Sequence, residues 1–451
     1  MRLILFSVLL LCSTAPLSAQ LEPKQHTEAA LLIQQSLNDS TGFSRLAYMC
    51  DTFGPRFSGT PALEKAIDWI VSEMKKDGFD SVYTQPVKVP NWVRGKESAY
   101  LIEPRKTRLA MMGLGGSIAT PPKGIKAQVL VVRSFEELQS RASEAKGKIV
   151  LFNVPFVAYG QTVRIRAQGA VEAAKAGAVA SLIRSVGPFS MNTPHTGNSA
   201  YAEGVPKIPH AAITAEDAQM LQRMQDRGQR IVVELNMEAK TLPDADSRNI
   251  VAEIRGTEQP NDVVVLGGHI DSWDVGTGAM DDGGGCLVSW EALRLMKKLG
   301  LKPRRTVRVV LWTNEENGIN GGKAYRQYVD ATLNNHVLAI ESDGGVFEPQ
   351  GFGFTGSERA YNQLQEVIQL LAPVGATNLF KGGGGADIGP LMKDGVPGMG
   401  LIVDGSKYFW YHHTDADTID KLSDPEFRKC TAAMAVMSYV VADMPVRLYR
   451  D

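Results

Sequence analysis

Five short stretches of the chain place histidines and carboxylates at spacings that suit a divalent metal. They are His269-Ile-Asp271, Asp281-Asp282, Glu315-Glu316, Glu341-Ser-Asp343 and His412-His413. Imidazole plus carboxylate is a donor set that suits zinc, and catalytic zinc sites keep one position open for water. Two ions about 3.5–4 Å apart make the clamp of a two-metal hydrolase. His269, Asp281, Glu316, Asp343 and His413 would supply it if one carboxylate were shared. Glu315 is then left over. Neighbouring residues at a strand end point apart, so one of the pair can ligate while the other faces the attacking water as general base. Asp271 stands two residues beyond His269, where a carboxylate can hold the second imidazole nitrogen. Asp417 is a similar partner for His413. His195, in Pro194-His-Thr-Gly197, is a candidate substrate contact. The competing interpretation of the first stretch is a Gly/Asp-rich turn with a solvated histidine.

The elements that carry these residues decide between the two. Val263–Gly268 is a continuous apolar run ending at His269, as expected of a strand buried on both faces of a parallel sheet. Val307–Thr313 ends at Asn314-Glu-Glu316, and Val337–Ile340 ends at Glu341-Ser-Asp343. Helical patterns over Cys286–Leu299 and about Gly321–Ala331 separate them. The ligand candidates therefore fall along one sheet edge, beyond the carboxyl ends of the strands, where open α/β sheets bind their ligands. A lone turn histidine does not produce that convergence.

The rest of the chain frames this core. Residues 1–19 read as a secretory signal, with Arg2, an apolar run over Leu3–Cys12 and small residues up to Ala19. The chain is expected to be exported, as a secreted or periplasmic protein or into a lysosome-like lumen, with no membrane span. The remaining cysteines, Cys50, Cys286 and Cys430, are too few and too far apart for a disulfide framework. A formal charge of -1 gives no field for nucleic acid. A Gly/Pro-rich stretch from Met111 to Gly124 marks a boundary. The expected plan is a first catalytic part at 20–108, an α/β insert at 109–243 and a second catalytic part at 244–451. The insert holds no cluster of metal ligands and reads as non-catalytic. The fold class is α/β, a mixed sheet with a parallel centre flanked by helices.

The ordered motifs also carry a resemblance. His-x-Asp, Gly-Ala-Met-Asp-Asp-Gly, Asn-Glu-Glu, Glu-Ser-Asp and His-Thr-x-x-Asp-Thr follow one another from His269 to Thr418. Together they resemble the secreted di-zinc exopeptidases of the leucyl aminopeptidase and glutamate carboxypeptidase type. The resemblance implies a phosphorylase/hydrolase-like catalytic domain and a protease-associated insert. It implies two zinc ions per chain: His269 and Asp343 on one, Glu316 and His413 on the other, Asp281 between them. It implies Glu315 as general base for a zinc-bridging water that attacks the peptide carbonyl of a dipeptide or short peptide. It implies a cis Asp281–Asp282 link, a homodimer, and an oxyanion or substrate contact at His412. An aminopeptidase of broader peptide range is the nearest alternative, separated by whether a free amino or a free carboxyl end is required. A metal-free binding ectodomain would lack ligands. A glutaminyl cyclase would use one zinc and lack the insert.

Overall fold

The computed structural model describes residues 21–450. The signal-like segment 1–19 lies outside the described residues. Two eight-stranded sheets organise the chain. In the first, the spatial order is Ser81–Val93, Lys240–Ile254, Arg305–Trp312, Gln259–His269, His336–Glu341, Gly398–Val403, Pro349–Thr355 and Asn378–Lys381. The four central strands from Arg305–Trp312 to Gly398–Val403 run parallel; Lys240–Ile254 and Pro349–Thr355 join them antiparallel, Ser81–Val93 pairs antiparallel with the former and Asn378–Lys381 parallel with the latter. The sheet is thus mixed with a parallel centre, as the alternation of runs predicts.

Successive side chains of the His269 strand feed two cores. Val264 and Leu266 pack into the larger core, with Trp290 and Met296 of helix Gly284–Lys298 and Val436 and Val440 of helix Asp424–Asp443. Val263 and Val265 pack on the other face against Tyr325, Ile388 and Leu391. Both faces are dry, which is why this strand reads as unbroken Val and Leu. Each such side chain contributes about 1.5–3 kcal/mol by leaving water. The first helices, Pro23–Leu37, Thr41–Phe53 and Pro61–Lys76, cover the larger core. Thr60 caps the third by accepting the Leu63 N–H, with Pro61 in its first turn.

The second sheet runs Thr107–Leu109, Glu97–Glu103, Val232–Met237, Ile125–Val132, Ile149–Phe152, Ala180–Arg184, His210–Ile213 and Met111–Gly113. It starts at Glu97, a dozen residues before the boundary at 109 expected from composition. Glu97–Glu103 pairs antiparallel with Val232–Met237, and strand patterning carries no label for which sheet a strand joins. The chain changes sheet at the tight turn near Gly95, whose φ is 70°. The Gly/Pro-rich stretch at 111–124 lies within this module. Helix Tyr159–Lys175 covers one face and helix Ala215–Asp226 the other. Among the described residues no helix is long and apolar enough to cross a membrane. Cys50, Cys286 and Cys430 are buried free thiols.

Candidate metal centre

The parallel strands deliver three of the candidate ligands to one edge. His269 closes its strand, Glu316 follows Arg305–Trp312, and Asp343 follows His336–Glu341. Asp281 comes from the kinked segment Ala279–Gly283, where Asp281 and Asp282 are non-helical, which leads into helix Gly284–Lys298. The Asp281–Asp282 peptide is cis. Asp282 ties this turn to the strand, accepting the His269 N–H at 3.0 Å and the Gly285 N–H at 3.0 Å. A Cβ at Gly268 or Gly285 would run into that carboxylate, so the glycines around it give space for the close approach. His413 arrives from a loop after the short helix Tyr408–Tyr411. Its φ of 59° places it in the left-handed region.

The side chains meet around Asp281. His269 Nε2 lies 3.2 Å from Asp281 Oδ1 and 3.3 Å from Asp343 Oδ1. His413 Nε2 lies 3.3 Å from Asp281 Oδ2 and 3.1 Å from Glu316 Oε2. One carboxylate therefore faces two imidazoles, one with each oxygen. Asp281 Oδ2 and Glu316 Oε1 are buried with no hydrogen-bond partner among the described residues. Buried polar atoms rarely stay so, and oxygens beside imidazole nitrogens in this arrangement fit divalent metal ions such as zinc. His412 Nε2 also comes within 3.7 Å of Asp281 Oδ2, and its ring stacks on His413 at 3.6 Å. Asp281, His412 and His413 could by themselves hold an ion. Glu316 is the better partner for His413, because its carboxylate is nearer and His412 is packed edge-on against Tyr159 and Phe409.

The electrostatics follow from burial and crowding. Burial raises the Glu315 carboxyl well above the usual range; His269 opposes this, and Asp343 and Glu316 reinforce it. Burial likewise raises Glu316, with His413 opposing and Asp281 adding. Burial and the neighbouring His413 hold the His412 imidazole well below its ordinary value, so it is neutral. Burial opposes the charge on His413, but Glu316 and Asp281 override it and raise that imidazole.

The supporting contacts differ from the sequence expectation in three places. The Asp271 carboxylate does not take the imidazole hydrogen bond. His269 Nδ1 meets the Asp271 carbonyl at 2.9 Å, while the nearer carboxylate oxygen is 3.8 Å away. The carboxylate instead accepts the Glu315 N–H at 3.0 Å and the Glu316 N–H at 3.4 Å. It aims the acid pair, and the carbonyl fixes the tautomer. Asp417 likewise does not serve His413. It accepts the N–H groups of Met280 and Asp281, at 2.8 and 3.2 Å, and so holds the shared carboxylate's backbone. His195 does not face the cleft. It is buried, with Nδ1 2.6 Å from the His412 carbonyl.

The middle module, expected to hold no cluster of metal ligands, reaches the site through its contacts with the His413 loop. Thr196 donates its N–H to the His413 carbonyl at 2.9 Å, and its own carbonyl lies 3.3 Å from His413 Nδ1. A cleft of about 490 Å³ opens above the acids. Tyr159, Arg166 and Asn198 of the module line it, with Ile319, Tyr408 and Phe409. Sequence reasoning missed these. One signal was present for Arg166: it falls on the buried stripe of its helix with Thr162, Ile165, Gly169 and Ala170. A charge on such a stripe requires a partner.

A carboxylate–imidazole cluster at the carboxyl edge of a parallel-centred sheet is the kind of site metallohydrolases carry. The chain belongs to peptidase family M28, a family of metallopeptidases, which residues 249–438 match. It is 53% identical to human carboxypeptidase Q over 409 residues, covering 91% of this chain and 87% of that protein. The crystal structure of a peptidase M28 precursor from Shewanella amazonensis superposes with a TM-score of 0.90 at 35% identity, covering 94% of this chain and 98% of that one. A zinc aminopeptidase from Bacillus subtilis shares the fold, with a TM-score of 0.68 at 21% identity, covering 90% of this chain and 98% of that one. The family resemblance carried by the ordered motifs is thereby confirmed.

Proposed function

We propose that the chain is a zinc-dependent exopeptidase acting on dipeptides or short peptides through two zinc ions. His269 and Asp343 would hold one ion, Glu316 and His413 the other, and Asp281 would be shared between them. The observation that carries this reading is the division of Asp281, whose Oδ1 faces His269 at 3.2 Å and whose Oδ2 faces His413 at 3.3 Å. When bound, the ions supply Lewis acidity toward water and the peptide carbonyl. Two cations also invert the local charge balance, so that crowded carboxyls ionise.

The chain's own residues do the rest. Glu315 is half-buried, lines the cleft and has its backbone N–H pinned by Asp271. Its carboxylate takes the proton of the attacking water and returns it to the leaving amine. His412, neutral and beside the cluster, donates to the oxygen that gains charge. The middle sheet is read as a protease-associated insert that closes one wall of the cleft.

Glu315→Gln tests the assignment. It should retain zinc at the wild-type ratio while kcat for dipeptide hydrolysis falls by about 10²–10⁴-fold, the usual range for a positioned acid–base group. An active Glu315→Gln enzyme sinks the general-base role. Hydrolysis that survives chelation sinks the metal reading itself.

A further inference from the structure

The near-zero charge of the chain conceals an uneven distribution. Residues 97–237, which build the second sheet and its helices, hold 17 Lys and Arg against 11 Asp and Glu, in a chain whose formal charge is -1. The module is therefore basic and the remainder acidic. Part of the basic excess surrounds an apolar groove of about 720 Å³ on the module. Ile118, Ile125, Val179 and Ile208 give the groove its apolar lining. Lys126 and Lys207 line it too, Lys146 and Lys148 flank the lining residue Gly147, and Lys123 stands between the lining residues Pro121 and Ile125. Four of these lysines are exposed, and Lys148 is half-buried. Among the described residues no acid lines the groove, and none of the five lysines is in an ion pair. Glu144 is taken by Arg141, and Glu234, opposite Lys126 in the strand ladder, forms no ion pair.

The groove has little to offer a peptide. Thr120 carries the one hydroxyl of the lining, and it is engaged with the Met237 backbone. The N–H groups of Ile118, Thr120, Gly147 and Val179 are already paired, and Pro121 and Pro209 have none. A peptide backbone laid there would lose water without finding partners, a cost hydrocarbon does not carry. Five unpaired lysines also outnumber the single carboxylate of a fatty acid, whereas a sheet of anionic headgroups can meet all of them. We propose that this face of the module docks on a bilayer rich in anionic lipids, with the lysines at the headgroups and the groove against acyl chain. The groove and the catalytic cleft open at opposite edges of the module's sheet. Gly147, Val179 and Pro209 stand just before the parallel strands Ile149–Phe152, Ala180–Arg184 and His210–Ile213. Tyr159 and Asn198, which line the cleft, and Thr196, which holds the His413 loop, come after the ends of the first two. A chain docked by the groove edge leaves the cleft edge to solvent, where a small peptide can enter.

The test is co-sedimentation of the full chain with vesicles of phosphatidylcholine, alone or with about 30% phosphatidylglycerol. Wild type should pellet with the anionic vesicles, stay in solution with the neutral ones, and be released at about 0.5 M salt. Each lysine near an anionic leaflet contributes about fivefold in partitioning. The triple variant Lys126→Gln, Lys146→Gln, Lys148→Gln should therefore bind about a hundredfold more weakly. Ile118 lines the groove but belongs to none of the core clusters. Ile118→Asn should weaken binding several-fold with an unchanged thermal midpoint; if that variant is unstable, Ile118→Ala is read in its place. Binding that ignores the groove variant overturns the part given to the acyl chain. Equal binding to neutral vesicles, no binding to anionic ones, or a triple variant that binds like wild type overturns the proposal. So does capture of soluble polyglutamate without binding to vesicles, which would give this face to an acidic protein segment. On saturating anionic vesicles dipeptide hydrolysis should stay within about twofold of its rate in solution; inhibition by bound vesicles would mean that the cleft edge docks instead. That last arm alone rests on the exopeptidase reading.

Discussion

The two halves of the proposed metal centre are built differently. His269 and Asp343 stand at the ends of adjacent parallel strands, held by a continuous backbone ladder. The His269 tautomer is set by a carbonyl two residues further along the same chain. Glu316 also follows a strand, but its partner His413 sits on a loop in a left-handed conformation. That loop is clasped by the other sheet's module, through Thr196 on the His413 backbone and ring and His195 on the His412 carbonyl. The first half is complete within the catalytic sheet, whereas the second is closed from outside it. A module that contributes no ligand thereby governs where a ligand sits.

Asp281 is the one side chain common to both halves, and removing it should have the largest effect. If two zinc ions bind as proposed, Asp281→Ala should reduce tightly bound zinc to one per chain or fewer and cut kcat/KM by more than about a thousandfold, well beyond the 10–100-fold typical of an outer partner. Metal analysis after dialysis and dipeptide assays measure both. Two ions retained at wild-type affinity would remove the bridge from the argument.

How much of this could be read from the chain follows from how local each signal is. The runs ending at His269, Glu316 and Asp343 were legible because strands buried on both faces are continuously apolar. Their convergence followed from parallel topology alone. The sheet change near Gly95 was not legible, since the pairing of Glu97–Glu103 with Val232–Met237 spans 129 to 140 residues of sequence. The role of Asp417 was misplaced for a like reason: it is near His413 in sequence, but it caps backbone 136 and 137 residues earlier. The Thr196 clasp uses main-chain atoms, which no residue type advertises.

Asp271 comes next, as the outer residue that touches both halves. Its carbonyl serves His269, and its carboxylate holds the Glu315 and Glu316 N–H groups. Asp271→Ala keeps the carbonyl and deletes the carboxylate. Zinc at His269 should be nearly unaffected, while activity falls by about 10–100-fold. Equal weakening of both zinc sites would mean that the halves are not separable as described.

The smallest effect isolates the clasp. In His195→Phe the ring is replaced by one of similar size that cannot pair with the His412 carbonyl. The lost hydrogen bond contributes about 0.5–1.5 kcal/mol, which is roughly two- to tenfold in an equilibrium constant. Because the His195 ring bonds the His412 carbonyl, next to His413, the loss should fall on the zinc of the His413 half. Competitive titration with a chromogenic chelator separates the two dissociation constants. The constant of the His269 half should stay within about twofold of wild type, since no hydrogen bond joins His195 to His269 or Asp343 among the described residues and Asp281 is the sole link between the halves. If instead both constants rise together, Asp281 transmits the strain across the bridge, and the two halves are one cooperative unit.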